Sequence, residues 1–214
     1  LGDVYKRQKV GDIIIVNGAV RDDGASKTYI DAMFPAVPDA QLMLYCMEAA
    51  KEIIKKGKEN HIPISFDPNL RPALWKSQEV MVESLNSLAF QSDIVLPGIE
   101  EGKILTGFEE KEKIADFYLQ HGVKEVIIKM GGEGAYYKTS EKEGVVEGFS
   151  VKEIVDTVGA GDGFAVGVIS GRLEQLSIEE YVKRGNCIGA LQIQVEGDNE
   201  GLPNRERLQN ALNG

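Results

Sequence analysis

Apolar residues along this chain alternate between two rhythms. Val10–Val16 (VGDIIIV) is a short β-branched run closed by Asn17-Gly18, which predicts a buried strand ending in a turn. Asp22–Ser26 (DDGAS) reads as a loop. From Asp39 to Asn60, Leu42, Tyr45, Cys46, Ala49, Ile53 and Ile54 recur at helical spacing, and Lys55–Lys58 suit the negative end of the helix dipole. Pro63–Asp67 is again strand-like, Gln78–Ala89 helical, and Ile94–Leu96 a strand closed by Pro97-Gly98. Helices are expected over Glu100–Leu105 and Lys111–Gln120, the second stopped by His121-Gly122, and a strand over Lys124–Met130. Each strand is continuously apolar rather than alternating. That is the signature of strands buried on both faces in a parallel sheet flanked by helices.

The rhythm changes after Met130. Ala135–Lys138 and Val145–Phe149 read as a hairpin pair separated by polar Thr139–Gly144. A helix is expected over Gly163–Glu174, its small residues (Gly163, Ala165, Gly167, Gly171) allowing close packing on the sheet. Ser177-Ile-Glu-Glu180 is a capping box opening a helix that runs to about Val195. Asn204 is placed to cap a last helix, Arg205–Leu212. No internal repeat or low-complexity linker interrupts the chain, so one domain is the simplest account.

Composition narrows the classes. The 214 residues are 43% hydrophobic and 27% charged, ordinary for a globular chain. A net charge of -10 opposes non-specific nucleic-acid binding and anionic membrane surfaces. It does not oppose a phosphorylated ligand, because backbone N–H groups bind phosphate locally. Cys46 and Cys187 stand alone, with no CxxC or Cys/His cluster, which suits a reducing cytoplasm. No apolar stretch reaches membrane-spanning length. Leu1–Gln8 lacks an initiator Met and any periodicity, and is expected to be a non-native or truncation segment ahead of residues 9–214.

Candidate chemistry concentrates in Val155–Gly171 (VDTVGAGDGFAVGVISG). Gly159, Ala160 and Gly161 let backbone N–H groups approach an anion closely, and the following helix points its positive end at the same place. Asp162 adds a carboxylate there. A carboxylate weakens an anion site unless it takes a proton from a nucleophile attacking the bound phosphate, which suggests phosphoryl transfer with Asp162 as base. The other reading is a tight strand-to-helix turn with Asp162 as a helix-start residue, and the loop alone does not choose. No Gly-Lys-Ser/Thr makes it a Walker loop, and no GxGxxG follows a first strand.

The run Asp156-Thr157-x-Gly159-Ala160-Gly161-Asp162 resembles the signature of ribokinase-like (PfkB) sugar kinases. The resemblance implies a three-layer α/β/α Rossmann-like core with a mostly parallel sheet, ATP and Mg²⁺ as cofactors, and sugar phosphorylation in the cytoplasm. It implies Asp162 as the base that deprotonates the sugar hydroxyl and the Gly159–Gly161 amides as the anion hole. Asp156 becomes a candidate for a monovalent cation such as K⁺. Lys129, Gly131, Gly132 and Gly134 (in KMGGEGA) resemble the strand-turn lining the nucleotide site, Asn186 a position near the adenine, and Asn69 a further nucleotide contact. Glu101 matches the family's Asn-x-x-Glu motif, which organises Mg²⁺ through water, although Gly98 stands where Asn is usual.

Asp67–Trp75 (DPNLRPALW) and Gly197–Pro203 (GDNEGLP) resemble the members that phosphorylate 2-keto-3-deoxygluconate (2-dehydro-3-deoxy-D-gluconate). Arg71 would then face the sugar carboxylate and Asp198 a sugar hydroxyl. The alternatives within the family are a fructokinase, a ribokinase or a nucleoside kinase, and outside it an inactive nucleotide-binding fragment. The family's opening Gly-Gly strand region and small β-sheet lid are not found in this sequence. The N-terminal strands and lid are therefore expected to be absent, and the full-length parent to be a homo-oligomer.

Overall fold

The computed structural model describes Ile14–Asn17 and Asp39–Asn213, with side chains from Cys46 onward. The loop expected at Asp22–Ser26, the segment Leu1–Gln8 and the first part of the first strand lie outside the described residues. Among the described residues, six strands form one sheet in sequential order: β1 (Ile14–Asn17), β2 (Ile64–Asp67), β3 (Ile94–Val95), β4 (Glu125–Lys129), β5 (Ala135–Thr139) and β6 (Glu143–Val146). β1 to β4 pair in parallel, and β5 and β6 join as an antiparallel ribbon. β2 is buried throughout, and β4 up to its last residue. β6, at the other edge, alternates between exposed and half-buried positions, as an edge strand with one wet face should.

Between the strands run α1 (Asp39–Glu59), α2 (Gln78–Ala89), α3 (Ile99–Thr106) and α4 (Lys111–Gln120); α5 (Ala160–Leu173), α6 (Ile178–Gln192) and α7 (Arg205–Asn213) follow. Each parallel crossover steps in the same direction across the sheet. Right-handed crossovers must then stack their helices on one face. One apolar cluster joins Ile54 of α1, Leu85 of α2, Leu105 of α3 and Tyr118 of α4 to Phe66, Val126 and Ile128 of the sheet. The opposite face, reached by Ile94, Ile127 and Tyr137, is covered by Phe164 and Val168 of α5 with Tyr181 and Val182 of α6.

Four details depart from expectation. The helix foreseen from Gly163 begins at Ala160, because Gly159 takes a left-handed turn (φ 76°) as its N-cap. Ala160, Gly161 and Asp162 are thus first-turn residues, whose N–H groups lack intrahelical partners. The small residues of α5 meet α6 rather than the sheet: a Cβ at Gly167 would lie 2.6 Å from the Cα of Gly185. β6 starts two residues early, since the Thr139 hydroxyl accepts from the N–H groups of Glu141 (3.2 Å) and Lys142 (3.1 Å) and closes the turn at once. α6 stops at Gln192, not near Val195. Its predicted capping box is present, with Ser177 Oγ accepting from Glu180 N–H and the Glu180 carboxylate accepting from Ser177 N–H. Asn204 caps α7 as expected, accepting from Arg207 N–H at 2.8 Å.

Candidate active site

Parallel strands deliver their last residues to one edge of the sheet. Asp67 closes β2 and Lys129 closes β4, held at the same height by the Gly98–Lys129 bridge and by Lys129 N–H donating to the Pro97 carbonyl at 2.8 Å. The Lys129 ammonium donates to Asp67 Oδ2 at 2.7 Å, and both side chains are largely buried. The other oxygen, Asp67 Oδ1, is buried without a hydrogen-bond partner. Burial raises the Asp67 carboxyl to about 6; Lys129 opposes the rise, while Glu101 and Asp162 add to it. Four of the charged groups at this edge therefore share one site: Asp67, Glu101, Lys129 and Asp162.

Glu101 sits in the first turn of α3 and ties two loops together. Its Oε2 accepts from Gly98 N–H at 2.7 Å and its Oε1 from Leu70 N–H at 3.4 Å. Gly98, unable to cap with a side chain, leaves this half of the box to Glu101. The segment after β2 carries two non-glycine residues in the left-handed region, Asn69 (φ 40°) and Arg71 (φ 45°), a strain that clusters at ligand sites. Asn69 is half-buried. Arg71 is exposed and precedes the short 3₁₀ turn Pro72–Leu74.

The N-terminus of α5 faces this cluster. An added Cβ at Gly161 would lie 3.5 Å from Lys129 Nζ, so the ammonium stands against the first helical turn. Asp156 anchors the approach to that turn. Its Oδ1 accepts from Val158 N–H at 3.0 Å and its Oδ2 from Gly197 N–H at 3.4 Å, and these backbone donors hold its carboxyl below the usual range. Behind the turn lies the loop carrying Asp198, whose carbonyl oxygen would be 2.2 Å from a Cβ at Gly159.

A third group forms around the end of the β5–β6 ribbon. Gly131 and Gly132 lie in an exposed 3₁₀ turn after Lys129, and Gly134 packs under the backbone of Val146–Gly148. Asn186 on α6 donates to the carbonyls of Val146 (2.9 Å) and Glu147 (3.1 Å). Gly159–Asp162, Lys129 and Glu101 thus share one cluster, with Asp156 and Asp198 docked behind it. Arg71 stays outside the hydrogen bonds that hold the cluster.

Two positions of this candidate site escaped the sequence. Asp67 was read as the end of a strand and the start of the Asp67–Trp75 motif but was given no role of its own, although a carboxylate ending a parallel strand lies where such sheets bind ligands. Gln192, fully buried, donates to Gly197 O at 2.8 Å and accepts from Gly201 N–H at 3.0 Å, holding the loop around Asp198. Its signal was a polar residue four positions after Ile188, on the buried stripe of the helix. Among the described residues no helix is long and apolar enough to cross a membrane, and no three His, Cys, Asp or Glu side chains are set to hold a metal ion by themselves.

Compared with known proteins, residues 29–205 match the pfkB family carbohydrate kinase profile. The chain belongs to the pfkB family. It is 57% identical over 188 residues to the 2-dehydro-3-deoxygluconokinase of Bacillus subtilis (strain 168), covering 88% of this chain and 56% of that protein. It is 33% identical over 176 residues to the probable fructokinase-6, chloroplastic, of Arabidopsis thaliana, covering 78% of this chain and 46% of that one. The chain thus spans about half the length of these curated relatives.

Among solved structures, the PfkB protein from Polaromonas sp. JS666 superposes with a TM-score of 0.72 at 38% identity, over 93% of this chain and 57% of that one. An E. coli protein assigned as Ribokinase II, in complex with ATP and Mg²⁺, gives 0.75 at 26% identity, over 94% of this chain and 58% of that one. Within this pfkB chain, the glycine-rich first turn of α5 and the acidic cluster before it are the structural setting of the family's signature residues.

Proposed function

We propose that this chain is the C-terminal part, residues 9–214, of a ribokinase-like kinase that transfers the γ-phosphoryl group of ATP to a hydroxyl of 2-keto-3-deoxygluconate. What carries the reading is the first turn of α5, where a carboxylate (Asp162) stands at a helix N-terminus whose N-cap, Gly159, supplies no side chain. The 57% identity to a 2-dehydro-3-deoxygluconokinase supports the substrate. The N-terminal strands and lid of the family would lie in the remainder of the parent, which we take to be a cytoplasmic homo-oligomer.

Asp162 takes the proton of the attacking hydroxyl as its oxygen bonds to phosphorus, and the amides of Gly159–Gly161 receive charge from the transferring group. Lys129, Gly131, Gly132, Gly134, Asn69 and Asn186 border the nucleotide. Arg71, exposed and unencumbered by the loop's own packing, neutralises the sugar carboxylate, and Asp198 receives a sugar hydroxyl. The donor set fits a hard cation: Mg²⁺ is commonly held by one or two carboxylates, water and phosphate rather than by a full protein cage. Glu101 would hold it through water, and the bound ion would screen phosphate charge. Asp156, with two backbone donors on its oxygens, keeps lone pairs for K⁺.

The test is Asp162→Asn in the complete protein. Turnover should fall by at least about 10³-fold while ATP affinity stays nearly unchanged. Retained turnover removes Asp162 as the base. Transfer to fructose, ribose or a nucleoside in preference to the sugar acid keeps the kinase and replaces its substrate.

A further inference from the structure

Lys129 and Asp67 form a largely buried ion pair at the ligand edge of the sheet. Removing two charges from water is costly, and such a pair is weak support for stability alone. Here the cost is compounded, because burial and the negative charges of Glu101 and Asp162 both disfavour ionised Asp67. Among the described residues, Lys129 is the cation that acts on Asp67, beside the carboxylates of Glu101 and Asp162. An incoming triphosphate would meet net negative charge there, relieved at the transferring group by this ammonium.

The geometry is specific. One N–H of the ammonium is committed to Asp67 Oδ2 at 2.7 Å. The same Nζ lies 3.5 Å from the place a Cβ would occupy on Gly161, and glycine leaves nothing between it and the first turn of α5. Its remaining donors are thus available beside the anion hole and the base.

Resting on the kinase reading above, we infer that Lys129 is a catalytic residue that touches the transferring phosphoryl group, and that Asp67 is a positioning residue that aims it. The sugar O–H proton passes to Asp162, the sugar oxygen bonds to the γ-phosphorus, and the bond from phosphorus to the β,γ-bridging oxygen breaks, the electron pair leaving on the diphosphate. Lys129 keeps its proton throughout and donates to a non-bridging oxygen as charge redistributes. The contact strengthens in the transition state, so it is read in kcat more than in nucleotide affinity.

The experiment compares Lys129→Met, Lys129→Arg, Asp67→Asn and the Asp67→Asn/Lys129→Met double variant in the complete protein. The double variant removes both charges at once and leaves no orphaned ion to unfold it. Assays use Mg-ATP with 2-keto-3-deoxygluconate, and calorimetry measures ADP with and without tetrafluoroaluminate, a mimic of the phosphoryl group in flight. Lys129→Met should lower kcat by about 100-fold and lose the mimic's extra affinity, with ADP binding changed less than about threefold. Asp67→Asn should lower kcat by about tenfold, Lys129→Arg should recover part of the activity, and the double variant should be no slower than Lys129→Met.

A rise in KM or ADP Kd with kcat intact would overturn the inference and leave Lys129 a ground-state contact. An Asp67→Asn effect of equal size in the Lys129→Met background would overturn the positioning role. If the wild type phosphorylates a neutral sugar instead of the acid, the substrate reading falls while the same variant ratios, measured on that sugar, still support or overturn this inference. A wild type that transfers to no sugar overturns both.

Discussion

Gly159 is where the signature turn packs against the loop that carries Asp198, and replacing it tests that close approach. In Gly159→Ala the backbone must hold φ 76° with a side chain, and the new methyl would sit 2.2 Å from the Asp198 carbonyl oxygen. The left-handed conformation costs about 1 kcal/mol. Forcing backbone away from backbone adds about 1–3 kcal/mol of overpacking. The sum is about 2–4 kcal/mol. Gly131→Ala is the internal control: its φ is 61°, and nothing lies within 4 Å of the added methyl. It should cost only the conformational part, about 1 kcal/mol. Urea denaturation of both variants at constant m-value measures the difference directly. Turnover should fall further in Gly159→Ala, because relief of the clash moves the first-turn amides away from the 197–201 loop. Equal destabilisation of the two variants would refute the close approach of that loop to the signature turn.

Three further outcomes follow from the charged and polar groups. Asp67 is raised to about 6 from an ordinary value of 3.8, so its folded form binds a proton more tightly than its unfolded form. Its stabilising contribution is therefore full below about pH 4 and lost as pH rises through about 6, on the order of 2–3 kcal/mol; the difference between wild-type and Asp67→Asn unfolding curves across that window should show it, and a flat difference would contradict it. Tyr181 donates to Glu125 Oε1 at 2.7 Å, and Arg172 bonds Glu125 Oε2 at 2.6 Å, fastening α5 and α6 to the buried start of β4. Tyr181→Phe should cost about 1.5–3 kcal/mol in thermal or chemical unfolding. Asn186→Leu strands the Val146 and Glu147 carbonyls, so it should destabilise by about 1–3 kcal/mol and weaken nucleotide binding, read by titration with ADP.

The sequence determined most of the local architecture. α2 and α4 fall where their apolar spacing placed them, because amphipathic periodicity and the Ser177-type caps are local properties. The β-branched run Val126–Ile128 inside Lys124–Met130 announced a strand covered on both faces, and Pro63–Asp67 was placed as a strand although Ser65 and Asp67 alternate with its apolar residues. The signature at Asp156–Asp162 pointed to the family because six residues within seven consecutive positions carried it. Tertiary structure alone decided the rest. Asp67 and Lys129 are 62 residues apart in sequence, and only the parallel register of β2, β3 and β4 brings their charges to 2.7 Å. The start of α5 at Ala160 depended on Gly159 turning against the Asp198 backbone, a contact no window of sequence contains. Gln192 looked like an ordinary helix residue until the 197–201 loop folded over it. Periodicity reports which face of an element is buried. It is silent on which distant group that face meets, and a site built from strand ends and loop contacts consists of such meetings.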